Sequence, residues 1–149
     1  MRLITTTVLS IALLVSACSG ASLDGPPDIV VDRTACAHCT MLISEPRYAA
    51  AYEAPGAEAK VFDDIACLLQ AAGAETATGL RFWFHDGNDG QWIEGEAATF
   101  VASPEFRTPM GGGMMAYRDP AAAAQAAGRY RGEVIGSLPD LLTREGGQS

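Results

Sequence analysis

The sequence carries the same order of strand-like and helix-like segments twice. In the first half, the apolar run 40–44 and the aromatic-containing segment 47–54 are predicted as strands. A helix follows, with Asp63 or Asp64 placed to accept hydrogen bonds from the free amides of its first turn. The alternating, aromatic-rich segment 80–85 is then predicted as a further strand.

The second half repeats this order with its own signals. The predicted elements are strands around 98–102 and 114–118, a helix with Asp119 at the N-cap and Pro120 in its first position, a strand within 132–137, and a last short helix over 139–143. The sequence therefore predicts an α+β fold of two ββαβ-type units with mostly antiparallel sheets. The first unit is predicted over 28–86 and the second, with the C-terminal helix, over 87–149.

Residues 1–17 have the pattern of a secretory signal peptide. One positive charge at Arg2 precedes the apolar run 8–15, which is too short to span a bilayer. The closing residues Val-Ser-Ala-Cys resemble the lipobox of bacterial lipoproteins, in which Cys18 is acylated and becomes the first mature residue. The alternative is an ordinary cleaved signal in which Cys18 has no such role.

A lipid on Cys18 predicts a folded body held to a membrane by its anchor. Ser19 follows, and by resemblance to other lipoproteins this residue favours the outer membrane, with the body facing the periplasm. The small and polar segment 18–27 is predicted to be a flexible tether. Loss of Arg2 with the signal takes the formal net charge from −8 to −9, which argues against nucleic acid as a partner.

Three cysteines remain after acylation, Cys36, Cys39 and Cys67, and this odd number does not suit a purely structural disulfide framework. Two of them lie in the motif CAHCTM. A thioredoxin-type pair needs its first thiol at the start of a helix, but here a strand-like run follows. A redox pair, a zinc site and a site for a softer metal are the interpretations to compare.

Zinc commonly takes four closed ligands, and the sequence has no second Cys-x-x-Cys pair and only two histidines, His38 and His85. Thiolate and thioether sulfur favour copper(I), which tolerates two or three ligands. If the chain is extended, Cys39 and Met41 point to the same side, about 6–7 Å apart at Cα. One copper(I) ion could then bridge their sulfur atoms.

Four phrases in succession resemble the NosL family, the lipoprotein accessory factors of nitrous oxide reductase. They are CAHCTM, VFDDIACLL, FWFHDGNDGQWIEGEAATFVAS and TPMGGGMMAYRD. The resemblance implies a copper(I)-binding protein that supplies copper for the copper-sulfide centre of the reductase and works with a membrane-bound ABC-type complex. It also implies a fold of two ββαβ units, similar in shape to part of organomercurial lyase. Thr40 departs from the family, which often has glycine there.

The resemblance gives several candidate metal ligands, and those in the motif CAHCTM match the metal-binding phrase of the family. Cys39 and Met41 are the core pair, and Cys36 is either a further ligand or the partner of Cys39 in a reversible disulfide. The remaining candidates are Met110, beside three glycines, and the two histidines His38 and His85. At most one of Met114 and Met115 can face a metal if they lie in a strand. Cys67 is interpreted as a buried small hydrophobe, and Asp63 and Asp64 as helix caps.

The sequence thus favours a metallochaperone over an enzyme. The enzyme alternatives are a periplasmic thiol-disulfide oxidoreductase using Cys36 and Cys39, or a lyase-like activity inherited with the fold. A shared fold does not transfer an activity, and the sequence offers no evident set of acid, base and nucleophile.

Overall fold

The computed structural model describes residues 25–146, so the signal segment, the predicted lipidation site Cys18 and most of the tether lie outside the described residues. The elements in chain order are β1 (Ala50–Glu53), β2 (Lys60–Phe62), α1 (Ile65–Gly73), β3 (Arg81–His85), β4 (Trp92–Glu94), β5 (Thr99–Ala102), β6 (Met114–Tyr117), α2 (Pro120–Arg129), β7 (Glu133–Gly136) and α3 (Leu138–Gly146). Within 25–146, no helix combines the length and the apolar character needed to cross a membrane.

The strands form two sheets, with the order β2-β1-β3-β4 in the first and β6-β5-β7 in the second. Every pairing between named strands is antiparallel. The predicted α+β class with antiparallel sheets is therefore confirmed. In each half, two strands, a helix and a third strand follow one another, while β4 extends the first sheet from beyond residue 86. The predicted division of the chain at that residue stays a prediction.

One apolar core joins the two sheets. Phe84 of β3 and Phe100 of β5 meet edge to face with ring centroids 4.7 Å apart, and both side chains are fully buried. The same core takes in Leu68 of α1 and Leu141 of α3. A backbone bridge between Asp86 and Ala116 links the sheets further. The two halves therefore bury a shared apolar surface and support each other's position.

The second half of the chain follows the sequence prediction closely. Asp119 caps α2 by accepting a hydrogen bond from the Ala121 N–H at 2.9 Å, and Pro120 occupies the first turn. In β6, Met114 is buried in the shared core whereas Met115 packs against the residues beneath α2. The predicted alternation of these two methionines is thus confirmed.

The first half differs from the prediction in which segments form strands. The run 40–44 is not a strand: Thr40 has a positive φ of 65°, and Leu42 forms only an isolated bridge with Ala35. The second strand is instead β2, directly before Asp63, where the sequence suggested entry into a helix. The predicted helix is present as α1, which ends at Gly73.

Candidate metal centre

Three thiols and one carboxylate converge at the start of α1. The Sγ atoms of Cys36, Cys39 and Cys67 and a carboxylate oxygen of Asp63 all lie within 4.8 Å of one another. All three cysteines are free thiols. We call these four residues the thiol cluster. Their donor types are those that bind thiophilic metal ions.

The loop that carries Cys36 and Cys39 is held in place by backbone hydrogen bonds. The Cys36 N–H donates to the Met41 carbonyl at 2.8 Å, and the Thr40 N–H returns to the Cys36 carbonyl at 3.0 Å. The Ala37 N–H donates to the carbonyl of Val61 in β2, also at 2.8 Å. This last hydrogen bond holds the loop next to β2, the strand that ends directly before Asp63.

The start of α1 supplies the other half of the cluster. Asp63 follows β2 directly, and Cys67 lies four residues later in the first turn of α1. Asp63 is the residue before the N-cap Asp64, so its carboxylate and the Cys67 thiol both lie at the N-terminal end of α1. Asp64 does not belong to the cluster, because its side chain caps the helix through the Ala66 N–H at 2.9 Å.

Burial differs between the members of the cluster. Cys36, Cys67 and Asp63 are each no more than 2% exposed, whereas Cys39 is only partly buried. The Cys39 thiol donates to Asp63, with Sγ 3.6 Å from both carboxylate oxygens. The cluster is therefore closed on most sides and reaches solvent through Cys39.

The environment favours the neutral thiol form in the metal-free protein. Burial raises the pKa of Cys39 above its ordinary value, although the Met41 backbone N–H partly offsets this effect. Burial also raises the pKa of Cys67 far above its ordinary value, and the neighbouring Cys36 adds to the increase. A metal ion must therefore displace protons when it binds these thiols.

The Met110 loop lies against the other side of the helix start. The buried carboxylate of Asp64 accepts hydrogen bonds from the Thr108 hydroxyl at 2.7 Å and from the Met110 N–H at 2.9 Å. Gly112 fits only because it has no side chain, since a Cβ there would lie 2.6 Å from the Ala66 Cβ. Asp64 is thus a confirmed cap that also fixes the loop from the second half.

The structure brings some of the predicted ligands together and leaves others apart. Cys36 and Cys39 are in the cluster. Met41 and Met110 are 53% and 45% exposed, and because Thr40 is left-handed, the extended geometry from which Met41 was paired with Cys39 does not apply. The ligand roles of these two methionines stay predictions.

Neither histidine is among the grouped donors of residues 25–144. His38 is exposed, and its Nε2 lies 3.1 Å from the Gln70 Oε1 on α1. His85 is buried, with Nδ1 3.0 Å from the Ala49 carbonyl and its ring against Trp92. Burial lowers the pKa of His85, so the neutral ring is favoured in this position. Their roles as ligands also stay predictions.

Sequence reasoning missed Cys67 and Asp63 as members of the site. Cys67 is indeed buried, but its thiol points into a polar cluster and not only into the core. The available signal was the phrase DDIAC, which places a cysteine in the first turn of the predicted helix, close to the two aspartates that precede it. With these two donors, the number of ligands no longer argues against a four-donor site.

We compared the chain with curated proteins and with protein families, and the family comparison agrees with this site. A search among curated proteins gave no match. The NosL family matches residues 28–138, a span that contains both sheets and the whole thiol cluster. This match covers most of the chain, and the cluster of three thiols and a carboxylate fits a copper-binding role. The chain therefore belongs to the NosL family.

Proposed function

We propose that this protein is a copper(I) metallochaperone that delivers copper for assembly of the copper-sulfide centre of nitrous oxide reductase. The observation that supports this proposal is the convergence of Cys36, Cys39 and Cys67 within 4.8 Å. Copper(I) is a soft ion that prefers thiolate sulfur and accepts few ligands. Membership of the NosL family supports the same role.

The unequal exposure of the thiols suits transfer of the ion. Cys36 and Cys67 are buried and would retain copper, while the partly exposed Cys39 is the thiol that a partner's ligand can approach. The exposed thioethers of Met41 and Met110 are further candidate ligands on the surface. A site with an accessible edge can exchange its metal through an incoming ligand, whereas a closed structural site retains it.

The proposal includes an anchor and a partner. Acylation of Cys18 would hold the protein at the periplasmic face of a membrane, in agreement with the outer-membrane expectation from Ser19. The receiving partner is proposed to be a membrane ABC-type assembly complex, with nitrous oxide reductase supplied directly or through it. The acidic composition gives no reason to expect a nucleic acid partner.

Copper(I) titration against a chromophoric chelator tests the proposal. We expect one ion per chain, and we expect Cys36→Ser, Cys39→Ser and Cys67→Ser each to lose most of the affinity, because a hydroxyl is a harder and less acidic donor. Met115→Leu is the matched control, since this methionine packs away from the cluster. Full affinity in all three serine variants would refute the site.

The oxidoreductase alternative is tested in parallel by insulin reduction. Cys36 is buried and the motif does not begin a helix, so the helix-dipole activation of a thioredoxin-type thiol has no counterpart. Burial raises the pKa of Cys39, which further disfavours a reactive thiolate. We expect no insulin reduction above the background, and a rate comparable to that of a disulfide reductase would favour the alternative.

The delivery role also requires a folded metal-free protein. The loop hydrogen bonds and the helix cap that place the donors do not involve a metal. We therefore expect circular dichroism of the copper-free chain to show its full secondary structure and to change little when copper is added. A copper-free chain that is unfolded would make the ion a structural element and would contradict delivery.

A further inference from the structure

Glu53, the last residue of β1, has its carboxylate buried in the protein. The residue is 5% exposed, and its Oε2 atom accepts no hydrogen bond from the residues that the structure describes. None of the ion pairs found among residues 25–144 involves Glu53. Burying a carboxylate without a cation or a hydrogen-bond donor is unfavourable, so a group that supplies both would stabilise this position.

Arg81 is directly opposite Glu53 in the pairing of β1 with β3. Its guanidinium group is engaged elsewhere, because Nη2 lies 3.6 Å from the Glu94 Oε1 and Cζ lies 4.9 Å from the centre of the Trp83 ring. The charges of Arg81 and Glu94 therefore offset each other. The carboxylate of Glu53 adds one negative charge beside this pair.

Glu53 lines a cavity of about 230 Å³, and the other lining residues are Ala54, Pro55, Gly56, Gly79 and Arg81. Pro55 and Gly56 are exposed, so the rim of the cavity reaches the protein surface. Gly56 and Gly79 both have a φ of 75°, a conformation that glycine adopts readily. Part of the wall is thus backbone without side chains, which leaves room for an inserted group near the carboxylate.

The cavity is separate from the thiol cluster. Tyr52 belongs to the shared apolar core, together with Leu68 of α1. Successive residues of a strand point to opposite faces of the sheet, so Glu53 points away from the face that packs on α1. A substitution at Glu53 should therefore leave the candidate metal ligands in place.

We propose that this cavity binds the basic side chain, lysine or arginine, of a partner protein, with Glu53 as the acceptor of its charged N–H groups. Ammonium and guanidinium groups supply the positive charge and the donors that this carboxylate lacks. The formal net charge of −8 attracts a basic partner. The segments 18–24 and 147–149, which adjoin the described residues, contain neither lysine nor arginine, so a second protein is the proposed source.

Nuclear magnetic resonance titration with blocked peptides tests this inference. The probes are acetyl-Gly-Gly-Lys-Gly-Gly-amide, its arginine equivalent, and a neutral peptide with norleucine in the central position. We expect saturable shifts of the Gly56 and Gly79 amide resonances with both basic peptides and none with the norleucine peptide. Butylammonium should bind more weakly than the lysine peptide, because only the peptide can also contact the backbone of the rim.

Glu53→Gln should weaken binding of both basic peptides by at least roughly tenfold, since it removes the buried partner of the cation. Glu58→Gln is the matched control, because Glu58 is an exposed residue in the segment after β1 and does not line the cavity. Absent binding to the native protein, equal binding to Glu53→Gln, or butylammonium binding as tight as that of the lysine peptide would overturn the inference.

The stability of the peptide-free protein gives a second readout. An uncharged amide costs less to bury than an unpaired carboxylate, so Glu53→Gln should raise Tm, whereas Glu58→Gln should not. A lower Tm in Glu53→Gln would mean that a group within the protein, such as Arg81, already pairs with the carboxylate, and it would overturn the inference. Copper(I) affinity should be the same in Glu53→Gln and the native chain, so failure of the proposed function would appear separately, as absent copper(I) binding in the native chain.

Discussion

Thr40 offers a direct test of how the metal-binding loop is built. It is one of three non-glycine residues in the described chain with a positive φ, at 65°, and its β-branched side chain is exposed. A left-handed residue with a Cβ is strained by roughly 1–2 kcal/mol. Glycine removes this strain but loses more conformational entropy on folding, by roughly 0.5–1 kcal/mol. Thr40→Gly should therefore stabilise the fold by about 0.5–1 kcal/mol.

For a domain of this size, that change should raise Tm by roughly 2–4 °C. Differential scanning calorimetry measures this change in Tm. The copper-free protein is used because a bound metal ion would itself raise Tm. The backbone hydrogen bond from the residue-40 N–H to the Cys36 carbonyl is kept in the variant. We therefore expect the stabilisation to arise without rearrangement of the loop.

Thr78→Gly is the matched control. Thr78 is also an exposed threonine outside helix and strand, but it is not among the residues with positive φ. Glycine there adds entropy to the unfolded chain without relieving strain, so Tm should fall. If Thr40→Gly and Thr78→Gly both lower Tm by similar amounts, strain at Thr40 is not the controlling term and the reasoning is refuted.

Four further outcomes are expected. Asp64→Ala should destabilise the fold by about 3 kcal/mol in urea unfolding, because the helix cap is lost and buried loop donors are left without an acceptor; a loss below about 1 kcal/mol would contradict this. Because burial lowers the pKa of His85, the free energy of unfolding should fall as the pH drops below the pKa of this imidazole in the unfolded chain and then through its lower pKa in the folded protein. Urea unfolding at several pH values should show that His85→Gln flattens this decline between pH ~8 and ~5. Copper(I) affinity should rise with pH in chelator competition, because burial raises the pKa of Cys39 and the ion must displace its proton; a constant affinity would argue against thiolate ligation. Cys18→Ala should release the protein from membranes in cell fractionation without abolishing copper binding in vitro, and continued membrane association would contradict lipidation.

The accuracy of the sequence predictions follows how local their signals are. Asp119 and Pro120 mark the start of α2 within two residues, and the structure begins the helix there. The strand predicted over 40–44 is wrong because apolar character did not reveal the left-handed backbone at Thr40. The short strand β2 (Lys60–Phe62) was missed because three residues carry too little alternation to distinguish a strand from the start of a helix.

The site shows the same contrast between local and distant information. The spacing of Cys36 and Cys39 predicted that these thiols belong together, and they do. Cys67 lies 31 residues after Cys36, and its approach depends on the pairing of the loop with β2 through the Ala37 N–H. That pairing is a tertiary contact, so spacing within the motif could not predict it. The NosL resemblance, which used phrases along the whole chain, was confirmed.

The two halves share the ββαβ order but carry different side chains at equivalent positions. In each half an aspartate caps the helix that follows the second strand, yet three residues beyond the cap the first half has Cys67 and the second has Ala122. The thiols belong to one half, while the other contributes the loop that donates to Asp64. The first half therefore supplies the candidate metal ligands, and the second half supplies the loop that holds the start of α1 in place. Substitutions in the loop of the second half could thus change the position of the metal centre through Asp64, although they alter none of the candidate ligands.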